Sequence, residues 1–496
     1  MKLLLNVFLF LLIIKIKISF ESENYSIIFP FSTIKPKDPE LTPSLNLTLM
    51  TNILQNIFLN DIYLKIEIGT PPQNINLRIS VNIDDFFLSK DTALFEKEYP
   101  KKNGNFYYNQ LLSSTFFNQA NDKGRTYFSH RHMSEYVKDN FIFYSTKNNN
   151  DNKILVKNFT FLLADKVMGP NHGVVGLKGG LSEKLERKDI FDSLKKNNLI
   201  KNCIWYLKYD NIYSGSLIIG NYPHNDDNII KEGKNELLKI NRFRKIYTNI
   251  DQKNWGNQWG LTFDKILIKN ISNSPFTYDE ILKDTKNNKH AFLNPNVGVI
   301  IGPKHYKFLL ENIYLNKFLD NKICFQPMLK IRINYENKLY YYYYCNVSYL
   351  EQIKKEFMPI FFEHKEFNYN FTLSFDDIFI QKNNYIFLKI IFDCIETDWV
   401  LGAPFLSKYL FVFDSDSKEI GFYSPNIYDN IEEETKNYKI NNSIGDYILK
   451  IIIGFVLIII GIFIGKKLFG LRRKLRANEL EEKFEYKPAE KIKQLF

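Results

Sequence analysis

The side chains of this 496-residue chain that could do chemistry form a few small sets. Ser80 ends the alternating run Ile75-Asn-Leu-Arg-Ile79, and Asp84, Asp85 and Asp91 follow it. A serine attacks a carbonyl only when a base takes its proton, and no histidine stands in that segment. The three aspartates could serve as acid and base, but they come four to eleven positions after Ser80. Asn294 closes Ala291-Phe-Leu293, and its amide neither gives nor takes a proton in the working pH range. His130 and His132 could begin a metal site, yet no third ligand is suggested nearby, so no metal is expected. No cofactor is expected either. Cys203, Cys324, Cys345 and Cys394 show no CxxC spacing, which argues against a zinc cage. In an oxidising compartment two disulfides are the default, and three pairings are open.

The ends of the chain say which compartment that is. Residues 1–19 place Lys2 before an apolar run from Leu3 to Ile14, the pattern of a secretory signal peptide. Residues 448–469 contain the uninterrupted apolar run Ile451–Gly465, extended by Ile448, Leu449, Leu468 and Phe469 to the roughly 20 residues a bilayer core requires. Lys466, Lys467, Arg472, Arg473, Lys474 and Arg476 follow, so the positive-inside rule predicts a single-pass type I protein with a cytoplasmic tail over 470–496. The ectodomain is then lumenal or extracellular, on a secretory organelle or the cell surface. The net charge of +11 belongs mostly to these two ends. No basic stripe remains between them, and no nucleic-acid partner is expected.

Between the ends, the composition is 45% hydrophobic and 16% aromatic, enough apolar mass for a large folded core. Period-two runs such as Ile62–Ile68, Ile75–Ile79, Phe141–Tyr144, Ile204–Leu207, Leu217–Ile219 and Leu410–Phe413 predict a mainly β protein. Helices are predicted at Ile190–Leu199 and Lys304–Phe318, the latter with Phe308, Leu309, Ile313 and Leu315 on one face. Asn- and Lys-rich runs at 145–153, 221–235 and 284–290 read as loops. Residues 20–60, rich in proline, read as an extended or prosegment-like lead-in, and 431–447 as a juxtamembrane linker.

Specific motifs then appear in order. Ile66-Glu-Ile-Gly-Thr-Pro-Pro-Gln73 resembles the opening of the pepsin-like aspartic proteases, in which the first catalytic Asp of DTGS lies eleven residues after the glycine. Counted from Gly69, that position is Ser80, in Ser80-Val-Asn-Ile83. Thr126-Tyr127 resembles the start of the flap, His172-Gly-Val-Val-Gly-Leu177 the DGILGL turn, and Ser214–Gly220 the strand closing the first lobe. Trp259–Ile266 resembles the opening of the second lobe. Asp398-Trp-Val-Leu-Gly-Ala-Pro-Phe405, Phe411-Val-Phe-Asp414 and Ile420-Gly-Phe422 resemble its ending. Ala291–Pro303 matches the second catalytic segment in spacing, with Asn294 at its aspartate and Asn296 at its glycine.

The resemblance implies a two-lobed pepsin-like fold, with lobes over 61–235 and 236–430, similar to the plasmepsins and anchored by one transmembrane helix. It also implies lost chemistry, because hydrolysis in this family needs two carboxylates sharing a proton about a water. Ser80 and Asn294 supply neither. Asn82 and Asn296 replace the glycines of the two turns, and asparagine tolerates the left-handed backbone better than most residues. Tyr127 would be the flap tyrosine over the cleft. Cys345 with Cys394 would be the family disulfide of the second lobe, leaving Cys203 with Cys324 or two free thiols. The expected function is a pseudoprotease whose monomeric ectodomain holds a peptide or protein partner in the interlobe cleft. The alternatives are an active endopeptidase using displaced acidic residues and a structural surface protein.

Overall fold

The computed structural model describes residues 26–33, 53, 57–58, 60–95, 105–118, 134–145, 153–167, 173–178, 189–211, 213–225, 239–248, 258–268, 290–333, 336–395 and 398–424, and six residues near the C-terminus. Residues 1–425 form one compact unit and residues 426–496 a second. In the second, the described residues are Lys467, Gly470, Arg472, Arg473, Lys474 and Arg476, all helical and exposed. The expected signal peptide and, apart from Lys467, the expected membrane span lie outside the described residues. Among the described residues no helix is long and apolar enough to cross a membrane.

The first unit is mainly β, and its strands follow the alternation in the sequence. Along Gln73–Ser80, Ile75, Leu77 and Ile79 are buried while the residues between them are partly exposed, as the two-residue repeat of a pleated strand requires. Among the described residues a 13-stranded sheet carries the first lobe and takes in Phe243–Tyr247, Phe411–Asp414 and Glu419–Tyr423. Strand Ile204–Asn211 pairs on one side with Ser214–Ile219 and on the other with Phe411–Asp414, near the end of the first unit. Trp205 stacks on Phe413 at 4.0 Å beneath this junction, and Trp259 packs edge-on against both. Among the described residues the rest of the second lobe forms sheets of seven, four and three strands.

The lead-in contributes a core strand. Ile27–Thr33 lies between Ser214–Ile219 and Ile62–Ile68, with Ile27, Phe29 and Phe31 buried. Pro30 takes an outward position of this alternation, so the segment reads as extended without revealing its partners. The expected loops at 145–153, 221–235 and 284–290 fall largely outside the described residues.

The helix expected over Ile190–Leu199 forms over Ile190–Lys196, with the Asp189 side chain accepting from the Asp192 amide at its start. The second helical segment runs from Lys304 to Asp320 but passes through a π turn at Glu311–Leu315. One extra residue in that turn rotates the buried stripe. Tyr306, Leu310, Tyr314 and Phe318 face the core, while Phe308, expected inside, is 51% exposed.

The expected disulfides are corrected. Cys324 is joined to Cys345, and among the described residues Cys203 and Cys394 are free thiols. Strands Cys324–Phe325 and Tyr344–Asn346 pair antiparallel with Cys324 directly opposite Cys345. Cys394 instead follows strand Ile390–Asp393, where its amide bonds to the Leu339 carbonyl.

Candidate functional site

The two motif loops are built by the same device. In the first lobe Gln73–Ser80 runs parallel to Gly173–Gly176, bringing Ser80 level with Gly176. The chain then turns through residues 81–85 and crosses in front of that glycine. A Cβ on Gly176 would meet the Ile83 carbonyl at 2.5 Å and the Asp85 carbonyl at 2.6 Å, so only glycine lets the loop pass. In the second lobe His290–Leu293 runs parallel to Trp399–Leu401. There the loop after Asn294 crosses Gly402, whose Cβ would lie 2.2 Å from the carbonyls of both Val297 and Val299. Backbone hydrogen bonds fix each crossing. Leu177 N–H donates to the Ser80 carbonyl at 2.8 Å and Asn294 N–H to the Leu401 carbonyl at 3.1 Å. Gly176, in Val174-Val-Gly176, and Gly402, in Val400-Leu-Gly402, are the residues that the two loops cross.

The side chains at the two aspartate positions are engaged alike. Ser80 Oγ accepts from the Asn82 amide at 3.4 Å, and Asn294 Oδ1 from the Asn296 amide at 3.1 Å. Both residues are partly exposed. Among the described residues no carboxylate or imidazole hydrogen-bonds to either side chain. Asp85 is buried, and its backbone carbonyl accepts from Gly176 N–H, so this residue helps to close the first loop. Asp84 is half-buried in the same loop and Asp91 lies in the following strand, Phe86–Phe95. Serine and asparagine at the paired positions can donate and accept hydrogen bonds; they cannot share a proton as a carboxylate dyad does.

The two turn asparagines differ from each other and from the expectation. Neither Asn82 nor Asn296 has a positive φ, so both loops close without left-handed backbone at these positions. Asn82 is exposed, whereas Asn296 is buried and bonded across the lobes. Asn60, which sequence reasoning assigned to the lead-in, is also buried here. Its amide donates to the Asn296 carbonyl at 3.1 Å and its Nδ2 to the Pro295 carbonyl at 3.2 Å. A polar Asn60 beside an apolar strand carried no local signal of this contact, because its partner is 235 residues away. The lobes meet again where Trp259 Nε1 donates to the Leu177 carbonyl at 2.9 Å.

A second polar row lies on neighbouring strands of the second lobe. Thr262 Oγ1 and His290 Nδ1 are 2.7 Å apart, and His290 also influences Asp398, just before strand Trp399–Leu401. Asp398 is buried, which pushes its carboxyl above the usual range, and the His290 charge opposes that shift. Among the described residues no group of three or more metal-ligating side chains converges. The flap candidate Tyr127 and His130, His132 and His172 lie outside the described residues.

Comparison with curated proteins gives no match. A family model, described as eukaryotic aspartyl protease, matches residues 62–424, from the first strand before Gly69 to the end of strand Glu419–Tyr423. That span contains both crossing loops, the glycines they cross and the sheet that joins the lobes. The chain belongs to the eukaryotic aspartyl protease family, in its pepsin-like form.

Proposed function

We propose that the chain is a plasmepsin-like pseudoprotease: a member of the family that retains the interlobe cleft and binds an extended peptide or protein segment there without hydrolysing it. The observation that carries this reading is the pair of motif loops. Each crosses a glycine of a neighbouring strand in the same way, yet begins at Ser80 or Asn294, whose side chains accept hydrogen bonds from their own turns. Strand edges and apolar walls hold an extended peptide through backbone hydrogen bonds and alternate side-chain pockets, and neither requires a carboxylate dyad. In this reading residues 448–469 anchor the protein as a single-pass type I membrane protein, with its ectodomain in the secretory lumen or outside the cell.

The test is a mixed peptide library incubated with the purified ectodomain between pH 4 and 7, with new termini detected by mass spectrometry. The unmodified protein is expected to produce none, and the doubly restored Ser80→Asp, Asn294→Asp variant is expected to cleave. Reproducible cleavage by the unmodified protein would overturn the reading and direct attention to Asp84, Asp85 and Asp91. Binding is read separately, by retention of unhydrolysed library peptides on the immobilised unmodified protein.

A further inference from the structure

Asn296 occupies a position that the family fills with a residue lacking a side chain, and its carboxamide lies at the end of a ladder in the other lobe. Strands Ile62–Ile68 and Gln73–Ser80 pair antiparallel, and Tyr63 opposite Arg78 is the last pair of that register. One step further, Ile62 and Ile79 would face each other. There the Ile62 amide donates to Asn296 Oδ1 at 3.1 Å, and Asn296 Nδ2 donates to the Ile79 carbonyl at 2.8 Å. A primary amide presents an N–H and a C=O in one plane, as a peptide unit does.

We propose that Asn296 is a positioning residue: its side-chain amide serves as the terminal rung of the Ile62–Ile68/Gln73–Ser80 ladder and thereby ties the Asn294 loop to the strand that ends in Ser80. Three further contacts run the same way. Asn60 N–H donates to the Asn296 carbonyl, Asn60 Nδ2 to the Pro295 carbonyl, and Gly298 N–H to the Phe58 carbonyl at 2.8 Å. Both asparagines are more than nine-tenths buried, so each of these polar groups would be left unsatisfied without its partner. The Asn294 loop and the strand pair that ends in Ser80 are thus one hydrogen-bonded unit, and they cannot separate without breaking it. This rung forms whether or not a peptide is bound.

The rung needs a donor and an acceptor on one short side chain, and this requirement separates it from simple space filling. Aspartate has the same shape but, when ionised, turns a second acceptor towards the Ile79 carbonyl. Protonation restores the donor. Asp61 and Arg78, next to Ile62 and Ile79 in sequence, are paired carboxylate to guanidinium at 2.8 Å. The experiment compares wild type, Asn296→Asp and Asn296→Gly, each with residues 426–496 retained, by thermal midpoint at several pH values and by amide hydrogen exchange. Asn296→Asp is expected to fall below Asn296→Gly at pH 7, and the gap is expected to close at acid pH. In Asn296→Gly, exchange of the Ile62 amide is expected to rise about tenfold, the loss of roughly one net hydrogen bond, while the amides of Ile66 and Leu77 stay protected. Asn296→Asp matching wild type at pH 7, or an unchanged Ile62 amide in Asn296→Gly, would overturn the proposal. Should Asn296→Asp fail to fold at pH 7, the Ile62 exchange in Asn296→Gly decides the matter alone.

Discussion

Cys324 and Cys345 stand directly opposite each other on paired strands, with Cα atoms 3.9 Å apart, and their disulfide closes a loop with a sequence separation of 21. Cross-linking a loop of this length restricts the unfolded chain and contributes about 3 kcal/mol of stability. Cys324→Ser is therefore expected to lower the unfolding free energy by about that amount, as measured by denaturant titration under non-reducing conditions. Peptide mapping without reduction should recover this pair and no other. Cys203 is buried, and burial pushes its thiol pKa up to about 12, so it is expected to resist alkylation at pH 8 until the protein unfolds.

Buried His364 and half-buried His224 lower stability at acid pH. Burial lowers the pKa of His224 and of His364 to about 4 from an ordinary 6.5. His364 Nδ1 accepts the Phe367 amide at 3.3 Å among the rings of Phe263 and Phe367, an arrangement suited to the neutral imidazole. The unfolded chain takes up protons on these residues first as pH falls. The stability they contribute is thus fully present above pH 6.5 and is lost on descending to about pH 4. For His364 the loss is on the order of 3 kcal/mol. Asp398 works in the opposite sense: its raised pKa gives stability that is fully present below pH 3.8 and is lost as pH rises through its folded value. Thermal midpoints should therefore decline from pH 7 to pH 4 in the wild type and decline less in His364→Asn. An equal decline in both would refute the assignment to His364.

Gly402 is expected to tolerate no side chain. A methyl group there meets two carbonyl oxygens of the crossing loop at 2.2 Å, and backbone cannot yield as a flexible side chain can. Gly402→Ala is expected to cost about 3 kcal/mol or more, at the upper end of overpacking penalties. Gly470→Ala serves as the control, because nothing lies within 4 Å of its Cβ position. Differential scanning calorimetry of the two variants against wild type checks both statements.

The strand segments, the two helical regions and the two motif loops were legible because each rests on local patterning. Ile75, Leu77 and Ile79 alternate, Asp189 precedes a helix it can cap, and Val-Val-Gly and Val-Leu-Gly stand at fixed distances from the other motifs. The same motif spacing located Ser80 and Asn294, and with them the absence of a carboxylate pair, since residue identity at a numbered position requires no coordinates. What only the tertiary structure decided depends on partners distant in sequence. Ile27–Thr33 becomes a core strand by pairing with Ser214–Ile219, and Cys324 chooses Cys345 because their strands are neighbours. Asn82 and Asn296 look equivalent in sequence, yet one is exposed and the other bonds the opposite lobe. Periodicity determines which face of a segment turns inward; the identity of what it meets there is set by the packing of the whole chain.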